Sequence, residues 1–394
     1  MKKLEKLIQE LCPNGVPFKK VKDVYTRLKG TPITAGKMKE IACEDGEIRV
    51  FAGGKTVIDA HEKDIPKANI TRTSAVLVQS RGVIDVVYYD KPFTFKNEMW
   101  AYTADNNVSV KYLYYVLKNS IQSFRDAASG MGSLPQISLP VTEEFMLPVP
   151  PLEVQREIVR VLDSFTLLTA ELTAELTARK KQYNFYRDAL IQKECKIEKV
   201  KLNSVCEIYD GTHKTPKYTN TGIPFVSVEN IDDLYGTRKF IAPEDYAKYK
   251  IKPRKGDVFM TRITAGVIGK CTVVDRDDDL AYYVSLALLR PNTDILDSKY
   301  LKYYLESGWG RKELSKWILW DATPTKINKD DIGRVLISIP PLDIQKRLVQ
   351  VIEHFDAICT DLNIGLPAEI EARQKQYEYY RDLLLTFAET GSET

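Results

Sequence analysis

Two short stretches carry residue types found in catalytic or nucleotide-binding motifs. Gly54-Lys55-Thr56 matches the end of a phosphate-binding loop, but that motif needs a glycine five positions before Gly54 and the sequence has Arg49 there. Glu194-Cys195-Lys196 has the Glu-x-Lys spacing of a nuclease motif, yet no Pro-Asp pair precedes it at a useful distance. The sequence also lacks a Gly-x-Gly-x-x-Gly fingerprint and the Asn/Asp-Pro-Pro-aromatic motif of amino-methyltransferases. We therefore predict that the chain is not itself an enzyme.

The residues that bind metals are few and scattered. The three histidines, His61, His213 and His354, are far apart in the sequence and do not suggest a metal centre. The six cysteines include no Cys-x-x-Cys pair, so neither a zinc ribbon nor a disulfide framework is indicated. The sequence predicts no metal and no cofactor in this chain, and the alternative is a chance grouping of such residues in space.

Composition bounds the remaining possibilities. A chain of 394 residues predicts two or more domains. The 57 lysines and arginines nearly balance 54 acidic residues, so only local clustering could create a basic face for DNA. The longest apolar run, residues 281–289, is too short to span a bilayer, and the first residues lack the apolar stretch of a signal peptide. We expect a cytoplasmic protein with no membrane partner.

The chain contains an internal repeat. PPLEVQR at residues 150–156 recurs as PPLDIQK at residues 340–346, an offset of 190. RKKQYNFYRDAL at residues 179–190 recurs as RQKQYEYYRDLL at residues 373–384, an offset of 194. The second copy therefore has four extra residues between these two landmarks.

Each repeated segment predicts a long helix. The proline pair ends a preceding strand, and apolar residues then recur at spacings of three and four, which is the heptad seam of a coiled coil. Gly365-Leu366-Pro367 predicts a break in the second helix and a restart with proline in the first turn. The predicted helix–helix seam consists of Leu162, Phe165, Leu172, Leu176, Tyr183, Tyr186, Ile352, Phe355, Leu362, Tyr377 and Tyr380.

The segments before the two helices are also related, though weakly. Ala75–Arg81 aligns with Gly256–Arg262 at an offset of 181, and both read as strands that end before a glycine-containing turn. The predicted fold class is α+β, with two globular domains separated by two long helices that form an antiparallel coiled coil with pseudo-twofold symmetry. The predicted boundaries are residues 1–150, 151–194, 195–340 and 341–394, where the last segment includes the tail.

The sequence resembles the specificity subunits of type I restriction–modification enzymes over essentially its whole length. The resemblance is carried by the two proline-led segments, by the two QY-rich segments, by SRGVIDVVYYDKPFTFKNEMW in the first domain and by the TAEL repeat at residues 169–176. It implies two target-recognition domains that each read half of a split, asymmetric target in double-stranded DNA. It also implies two adenine methyltransferase (modification) subunits and restriction subunits as partners, with S-adenosylmethionine, ATP and Mg in those partners.

Candidate DNA contacts are polar and basic residues at strand ends and in loops, where arginine can pair with guanine and Asn or Gln with adenine, while Lys, Ser and Thr more often hold phosphates. The competing interpretation of each is an ordinary solvated loop residue. Arg81 and Arg262 are favoured because the duplication places them at equivalent positions. The candidates are Lys29, Thr31, Lys55, Gln79, Ser80, Arg81, Lys96 and Asn97 in the first domain, and Thr212, His213, Lys214, Thr215, Lys217, Thr261, Arg262, Thr264 and Lys326 in the second.

Two charged pairs next to the seam, Arg187-Asp188 and Arg381-Asp382, are candidate docking residues for the methyltransferase, and a solvated charged face is the competing interpretation. Two other classes of function remain as rivals. One is a fused restriction–methylation enzyme with degenerate motifs, which would transfer methyl groups without partners. The other is a coiled-coil scaffold that binds only protein, which would show no salt-dependent DNA binding.

Overall fold

The computed structural model describes residues 2–129, 134–194, 199–360 and 365–390. The chain divides into two compact units, Met1–Leu172 with Ile370–Thr394, and Thr173–Glu369. Each unit contains one α+β domain together with part of the helical segments. Leu362 of the predicted seam lies outside the described residues. The predicted domain boundaries remain a prediction.

The first unit begins with a helix and then alternates short strands with short helices. Its helices are α1 (Lys2–Leu11), α2 (Val21–Val24), α3 (Ala35–Ile41), α4 (Asn107–Asn119), α5 (Ile121–Asp126) and α6 (Leu139–Glu143), followed by the start of α7 (Leu152–Glu194). Its strands are β1 (Phe18–Lys20), β2 (Thr26–Leu28), β3 (Ile48–Phe51), β4 (Val57–Ala60), β5 (Ala75–Gln79), β6 (Asp85–Tyr89), β7 (Phe93–Phe95), β8 (Trp100–Thr103) and β9 (Met146–Pro148).

Two sheets make up the body of this domain. An antiparallel sheet has the order β2-β8-β5-β6, and a smaller sheet has the order β4-β3-β7 with β3 and β7 parallel. A separate pair, β1 and β9, joins the start of the domain to its end. The apolar run of β5 reflects burial on both faces, since Val76 and Val78 pack towards α4 and α7 while Ala75 and Leu77 pack towards Phe93 and the small sheet.

The second unit has the same kinds of element in nearly the same order. Its strands are β10 (Lys199–Lys201), β11 (Cys206–Asp210), β12 (Tyr218–Thr219), β13 (Ile223–Val226), β14 (Phe240–Ile241), β15 (Val258–Thr261), β16 (Cys271–Val273), β17 (Ala281–Tyr282), β18 (Leu286–Pro291) and β19 (Leu336–Ser338). Its helices are α8 (Pro243–Tyr246), α9 (Ser298–Glu306), α10 (Gly308–Ser315), α11 (Lys329–Gly333) and α12 (Leu342–Thr360). The last helix of the chain, α13 (Leu366–Leu385), lies mostly in the first unit.

The sheets of the second domain repeat those of the first. The order β11-β18-β15-β16 matches β2-β8-β5-β6, and β14-β13-β17 matches β4-β3-β7, including the parallel pair. The pair β10–β19 matches β1–β9. Strand β12 is an addition at the edge of the small sheet. The central strand β15 is again buried on both faces, with Val258 and Met260 on one side and Phe259 on the other.

The proline-led repeat has a clear structural role at the junction between each domain and its helix. The side-chain amide of Gln155 donates to the carbonyl of Pro150 at 2.8 Å, and that of Gln345 donates to Pro340 at 2.7 Å. Both glutamines are almost completely buried. A buried carbonyl left without a donor costs about 1–3 kcal/mol, which explains why glutamine recurs at this position. These contacts hold the first turn of α7 and of α12 against the end of the sheet.

The predicted seam residues of the first unit lie between α7 and α13. Leu162 is fully buried in the main core of the unit, and the ring of Phe165 stacks on that of Tyr380 at a centroid distance of 5.5 Å. Tyr377 packs at the margin of the same core, and Leu172 is half-buried. The early part of α7 therefore pairs with the last helix of the chain.

In the second unit the later part of α7 pairs with α12. The ring of Tyr186 stacks on Phe355 at 6.0 Å, Ile352 is buried, and Tyr183 packs against the main core of the unit. Leu176 is half-buried. Because the early residues of α7 pair with the later helix, the pairing has antiparallel order, and the predicted fold class of two domains joined by a coiled coil is confirmed. α13 begins at Leu366, with Pro367 in its first turn.

No helix among the described residues is long and apolar enough to cross a membrane.

A buried ion pair in the second domain provides a test of this packing. Asp257, which precedes β15, accepts hydrogen bonds from the Arg290 guanidinium at 2.7 and 2.9 Å and from the backbone amide of Arg254 at 3.0 Å. Only 2% of the Asp257 side chain and 15% of the Arg290 side chain are exposed. Asp257→Ala should lower the free energy of unfolding by about 3–5 kcal/mol, because Arg290 then keeps its largely buried charge with the Lys252 carbonyl but without the carboxylate of Asp257. Urea denaturation measures this loss.

The matched control for this prediction is Asp275→Ala. Asp275 pairs with Arg276 at 3.4 Å, but both side chains are more than half exposed. This change should cost less than about 1 kcal/mol. An equal loss in the free energy of unfolding from the two substitutions would contradict the structural role of Asp257.

Candidate DNA interface

The first-domain candidates converge at one edge, where four loops meet. The amide of Thr31 donates to Phe95 at 2.7 Å, and the amide of Lys96 donates to Phe51 at 2.9 Å. These bonds bring the loop after β2 and the loop after β3 to the end of β7. The turn at Gly53 and Gly54 packs against the loop that follows β5. Gly82 of that loop is so close that a Cβ placed on it would lie 3.5 Å from the Gly54 Cα.

Glu98 lies at the centre of this edge and is surrounded by donors. Its carboxylate accepts from the Lys96 ammonium at 2.6 Å and from the Gly53 amide at 3.1 Å. Partial burial raises the pKa of Glu98, but these two hydrogen bonds outweigh it, and the pKa lies below its ordinary value. Glu98 therefore stays charged and holds Lys96 and the Gly53 turn in place. Arg81, which is exposed, lies close enough to lower the same pKa slightly.

The other first-domain candidates separate into exposed and buried residues. Lys29 and Asn97 are exposed and available to a ligand, whereas the structure describes the backbone of Lys55 and not its side chain. Thr31 is fully buried, where its hydroxyl pairs with that of Thr94 and accepts from the Asn69 amide. Gln79 and Ser80 are also buried, and the Ser80 hydroxyl donates to the Glu98 carbonyl at 2.6 Å. These three side chains support the loops from beneath.

In the second domain the predicted loop at residues 211–217 is mostly exposed. His213, Lys214, Thr215 and Lys217 are all exposed, while the Thr212 hydroxyl accepts from the Lys214 amide in a tight turn. The loop begins at Gly211, where a side chain is excluded because a Cβ would lie 2.4 Å from the Tyr283 backbone.

This loop forms one wall of a cavity of about 520 Å³. Lys214 and Lys217 line it from one side, and Lys248 and Lys250 line it from the other. The last two are exposed residues that sequence reasoning missed. The stretch KYKIKPRK at residues 248–255 is the most basic short segment near this loop, and this clustering could have identified them. The cavity is also lined by Asp210 and Asp245, which pair with Arg262 and Lys248, so the lining has two more lysines than aspartates, an excess that the nearly neutral net charge of the chain conceals.

Thr261 and Arg262 do not lie on this exposed surface. The Thr261 hydroxyl is buried and donates to the Val267 carbonyl at 2.7 Å. Arg262 is 6% exposed, donates to the Ile327 carbonyl at 3.2 Å and forms an ion pair with Asp210. Because Asp210 is the last residue of β11, Arg262 anchors the base of the 211–217 loop.

The prediction that Arg81 and Arg262 occupy equivalent positions is wrong by one residue. Arg262 corresponds to Ser80, and Arg81 corresponds to Ile263. The amide of Ile137 donates to the Ser80 carbonyl, and the corresponding amide of Ile327 donates to the Arg262 carbonyl. Arg81 likewise bridges to Gln136 as Ile263 bridges to Lys326. The true offset in this strand is therefore 182. Since successive strand residues alternate between faces, a slip of one residue explains why Arg81 is exposed and Arg262 is buried.

Two further candidates of the second domain lie at the rim of this region. Thr264 is half-buried, and its hydroxyl accepts from the Gly266 amide at 2.9 Å. Lys326 is half-buried at the isolated bridge to Ile263. Both lie close to Arg262 in the backbone network that connects residues 261–264 with residues 325–327.

The candidate docking pairs have the same geometry in the two units. The Arg187 guanidinium lies 5.5 Å from the Tyr183 ring centroid and pairs with Asp188 at 3.0 Å. The Arg381 guanidinium lies 5.8 Å from the Tyr377 ring and pairs with Asp382 at 2.7 Å. Sequence reasoning did not identify the aromatic residue that lies between the tyrosine and the arginine in each copy. Phe185 is 68% exposed and its repeat equivalent Tyr379 is 65% exposed, although both are large aromatic residues.

Comparison with known proteins gives one consistent result. The family model for the type I restriction modification DNA specificity domain matches the chain twice, at residues 13–179 and 195–372. The chain is 32% identical over 360 residues to the EcoR124I/EcoR124II type I restriction enzyme specificity subunit of Escherichia coli, which covers 86% of this chain and 87% of that one.

Solved structures show the same fold. The S subunit of the type I restriction–modification system from M. genitalium matches with a TM-score of 0.53 at 16% identity, covering 94% of this chain and 95% of that chain. A chain from a structure on complex assembly and conformational transition of the type I system matches with a TM-score of 0.60 at 18% identity, covering 95% of this chain and 98% of that chain. The chain therefore belongs to the family of type I restriction–modification specificity subunits, DNA-sequence-recognition proteins that are not catalytic themselves and leave catalysis to partner subunits.

Proposed function

We propose that this chain reads a split, asymmetric sequence in double-stranded DNA and brings the modification and restriction subunits to that site. The observation that carries the proposal is the duplication, since two domains of the same fold each present exposed basic side chains on their loops. Two such sets of loops on one chain fit two separate half-sites. Their loops differ in sequence, which fits two different half-sites and so an asymmetric target.

The exposed candidates are assigned to direct DNA contact, and the buried ones to positioning. In the first domain the exposed Arg81 and Asn97 have the donors for base edges, and the exposed Lys29 suits phosphates. Lys96 is half-buried and held by Glu98 at the same edge, and Lys55 stays a candidate from the sequence alone. In the second domain the 211–217 loop and Lys248 and Lys250 face the same cavity, and their lysines suit phosphates. Thr31, Gln79, Ser80, Thr261 and Arg262 support these loops, with Thr264 and Lys326 at the rim.

The first prediction from this proposed function contrasts the two arginines. Arg81→Ala should weaken DNA binding by the chain with its methyltransferase, by about 1–3 kcal/mol for a base contact, with an unchanged melting temperature. Arg262→Ala should instead lower the melting temperature, because Asp210 and the Ile327 carbonyl lose a buried donor. Fluorescence anisotropy with specific DNA and thermal denaturation measure the two effects. If Arg262→Ala melted like the parent while Arg81→Ala unfolded, the assignment would be reversed.

The second prediction tests the whole function. Produced together with its methyltransferase in cells that lack other adenine methylation, the chain should direct methylation to a two-part motif, which long-read sequencing maps. Replacing residues 1–150 with the matching domain of a relative should change one half of the motif only. A change in both halves would contradict independent domains, and methylation by the chain without a partner would support the fused-enzyme alternative.

A purely protein-binding scaffold is the other alternative, and salt dependence separates it from DNA recognition. A protein that neutralises several phosphates loses affinity steeply as salt rises, because binding releases counterions. The lysines around the 520 Å³ cavity and at the Glu98 edge predict such a slope.

The helical segments are assigned to the docking of two methyltransferase subunits, which bind S-adenosylmethionine, with restriction subunits that bind ATP and Mg joining the assembly. The support is the repeated surface, in which an exposed aromatic, Phe185 or Tyr379, lies beside an Arg-Asp pair of similar geometry. One surface presented twice suits two copies of one partner. Aromatic residues and arginines also contribute most of the binding energy in protein interfaces.

The third prediction concerns this surface. Phe185→Ala and Tyr379→Ala should each weaken one of the two docking sites, so that the complex contains one methyltransferase where the parent holds two. The double variant should fail to form the complex. Native mass spectrometry at fixed concentration measures the stoichiometry.

The control for docking is Trp320→Ala. This side chain is 63% exposed and lies outside the helical segments, so the change should leave two partners bound. Unchanged stoichiometry in the Phe185/Tyr379 double variant would place the methyltransferase elsewhere.

A further inference from the structure

The small sheet of the first domain brings three metal-binding side chains together that are spread along the sequence. Cys43 lies two residues after α3, Asp45 two residues further, and His61 directly after β4. One ligand atom from each lies within 4.8 Å of the other two. We propose that Cys43, Asp45 and His61 bind a divalent transition-metal ion of the zinc type.

The backbone holds these residues in place independently of any ion. The amide of Cys43 donates to the carbonyl of Asp59 at 2.9 Å, and Ile48 pairs with Ala60 at the start of the β3–β4 ladder. Gly46 lies directly against Ala60, where a Cβ would be only 2.2 Å from the Ala60 nitrogen. The segment that carries Cys43 and Asp45 is therefore held flat against the strand end that carries His61.

The distances between the three ligand atoms would suit a metal ion after the Cys43 thiol moves slightly closer. The Nε2 atom of His61 lies 3.6 Å from an Asp45 carboxylate oxygen. Two ligands of a tetrahedral ion at about 2.0–2.3 Å from the metal are about 3.3–3.8 Å apart. This pair already has the required separation, and the thiol of Cys43 has to move by about 1 Å at most to complete the set.

A carboxylate outside the ligand set orients the imidazole. Glu47 lies 2.8 Å from Nδ1 of His61, and it also accepts from the Glu62 backbone amide at 2.9 Å. Because an ionised carboxylate only accepts hydrogen bonds, Nδ1 donates to Glu47, and this leaves Nε2, which faces Asp45, as the ring nitrogen that a metal ion would bind in place of a proton. Histidines that bind metals are commonly oriented by such a carboxylate, and its loss typically weakens metal binding 10–100-fold.

The ligand types favour one class of ion. A thiolate with an imidazole favours zinc and similar transition metals, whereas Mg²⁺ and Ca²⁺ prefer oxygen ligands alone. Three protein ligands leave the fourth tetrahedral position for water, and a cavity of about 610 Å³ lined by Cys43, His61 and Asp64 gives water access. The bound ion would join the segment after α3 to the segment after β4. These segments flank β3, whose last residue, Phe51, accepts from Lys96 at the candidate DNA edge.

The site is tested with the full chain, purified without a histidine tag and treated with a chelator. Titration with Co²⁺ should give the absorption of a thiolate–cobalt bond at one equivalent, and Zn²⁺ should displace the cobalt. Cys43→Ser should abolish that absorption, and Glu47→Gln should weaken Zn²⁺ binding about 10–100-fold. Asp45→Asn should weaken Zn²⁺ binding at least as much, because it removes a ligand. The Asp45 side chain is 84% exposed, so this variant keeps the fold even where Cys43→Ser does not.

His213→Ala is the matched control, because it removes an exposed histidine from the second domain and should leave Zn²⁺ affinity unchanged. The absence of a thiolate–cobalt absorption in the parent chain would overturn the proposal. So would equal Zn²⁺ affinity in the parent and in Asp45→Asn. Either result would mean that His61 is held only by its acidic neighbours.

Discussion

A buried glutamine at the start of each long helix is the contact on which the rest of the architecture depends. Gln155 and Gln345 each satisfy the carbonyl of the first proline of their repeat and also reach back into their own domain. Gln155 accepts from the Ser109 hydroxyl at 3.0 Å, and Gln345 accepts from the Asp297 amide at 2.8 Å. Each glutamine thus joins the sheet edge, the helix α4 or α9 and the long helix in one buried network. Buried polar groups of this kind tolerate little displacement, because an unmade hydrogen bond costs the full desolvation of the group.

The two copies share this buried framework and differ in their exposed loops. The paired strands β1–β9 and β10–β19, the central strands β5 and β15 and the two glutamine junctions correspond closely. The exposed loops differ. The first domain gathers its candidates around Glu98, whereas the second has its exposed candidates on the loop that begins at Gly211, beside a basic segment. Conserving the buried part and varying the surface is what a family of sequence readers needs, since packing fixes the fold and loop side chains choose the bases.

Arg262 shows how a residue with the chemistry of base recognition becomes structural. Arginine in a strand end points to solvent or to the interior according to its register, and here one residue of displacement turns it inward towards Asp210. The ion pair then holds the base of the exposed loop at residues 211–217. A residue can in this way affect recognition without touching the nucleic acid, by fixing the backbone from which the contacting side chains extend.

The sequence by itself determined the repeat, the α+β domains, the helical seam and the family, because these depend on periodicity and on motifs that repeat in order. Leu162, Phe165 and Ile352 could be placed from spacing alone, since a heptad pattern needs no long-range information. Only the tertiary structure decided which polar candidates are exposed. Thr31, Ser80 and Arg262 look like surface residues in a polar loop, but their burial depends on Asn69, Glu98 and Asp210, which are between 18 and 52 positions away. The grouping of Cys43 with His61 has the same origin, because it follows from hairpin register and from the close approach at Gly46, neither of which residue spacing encodes.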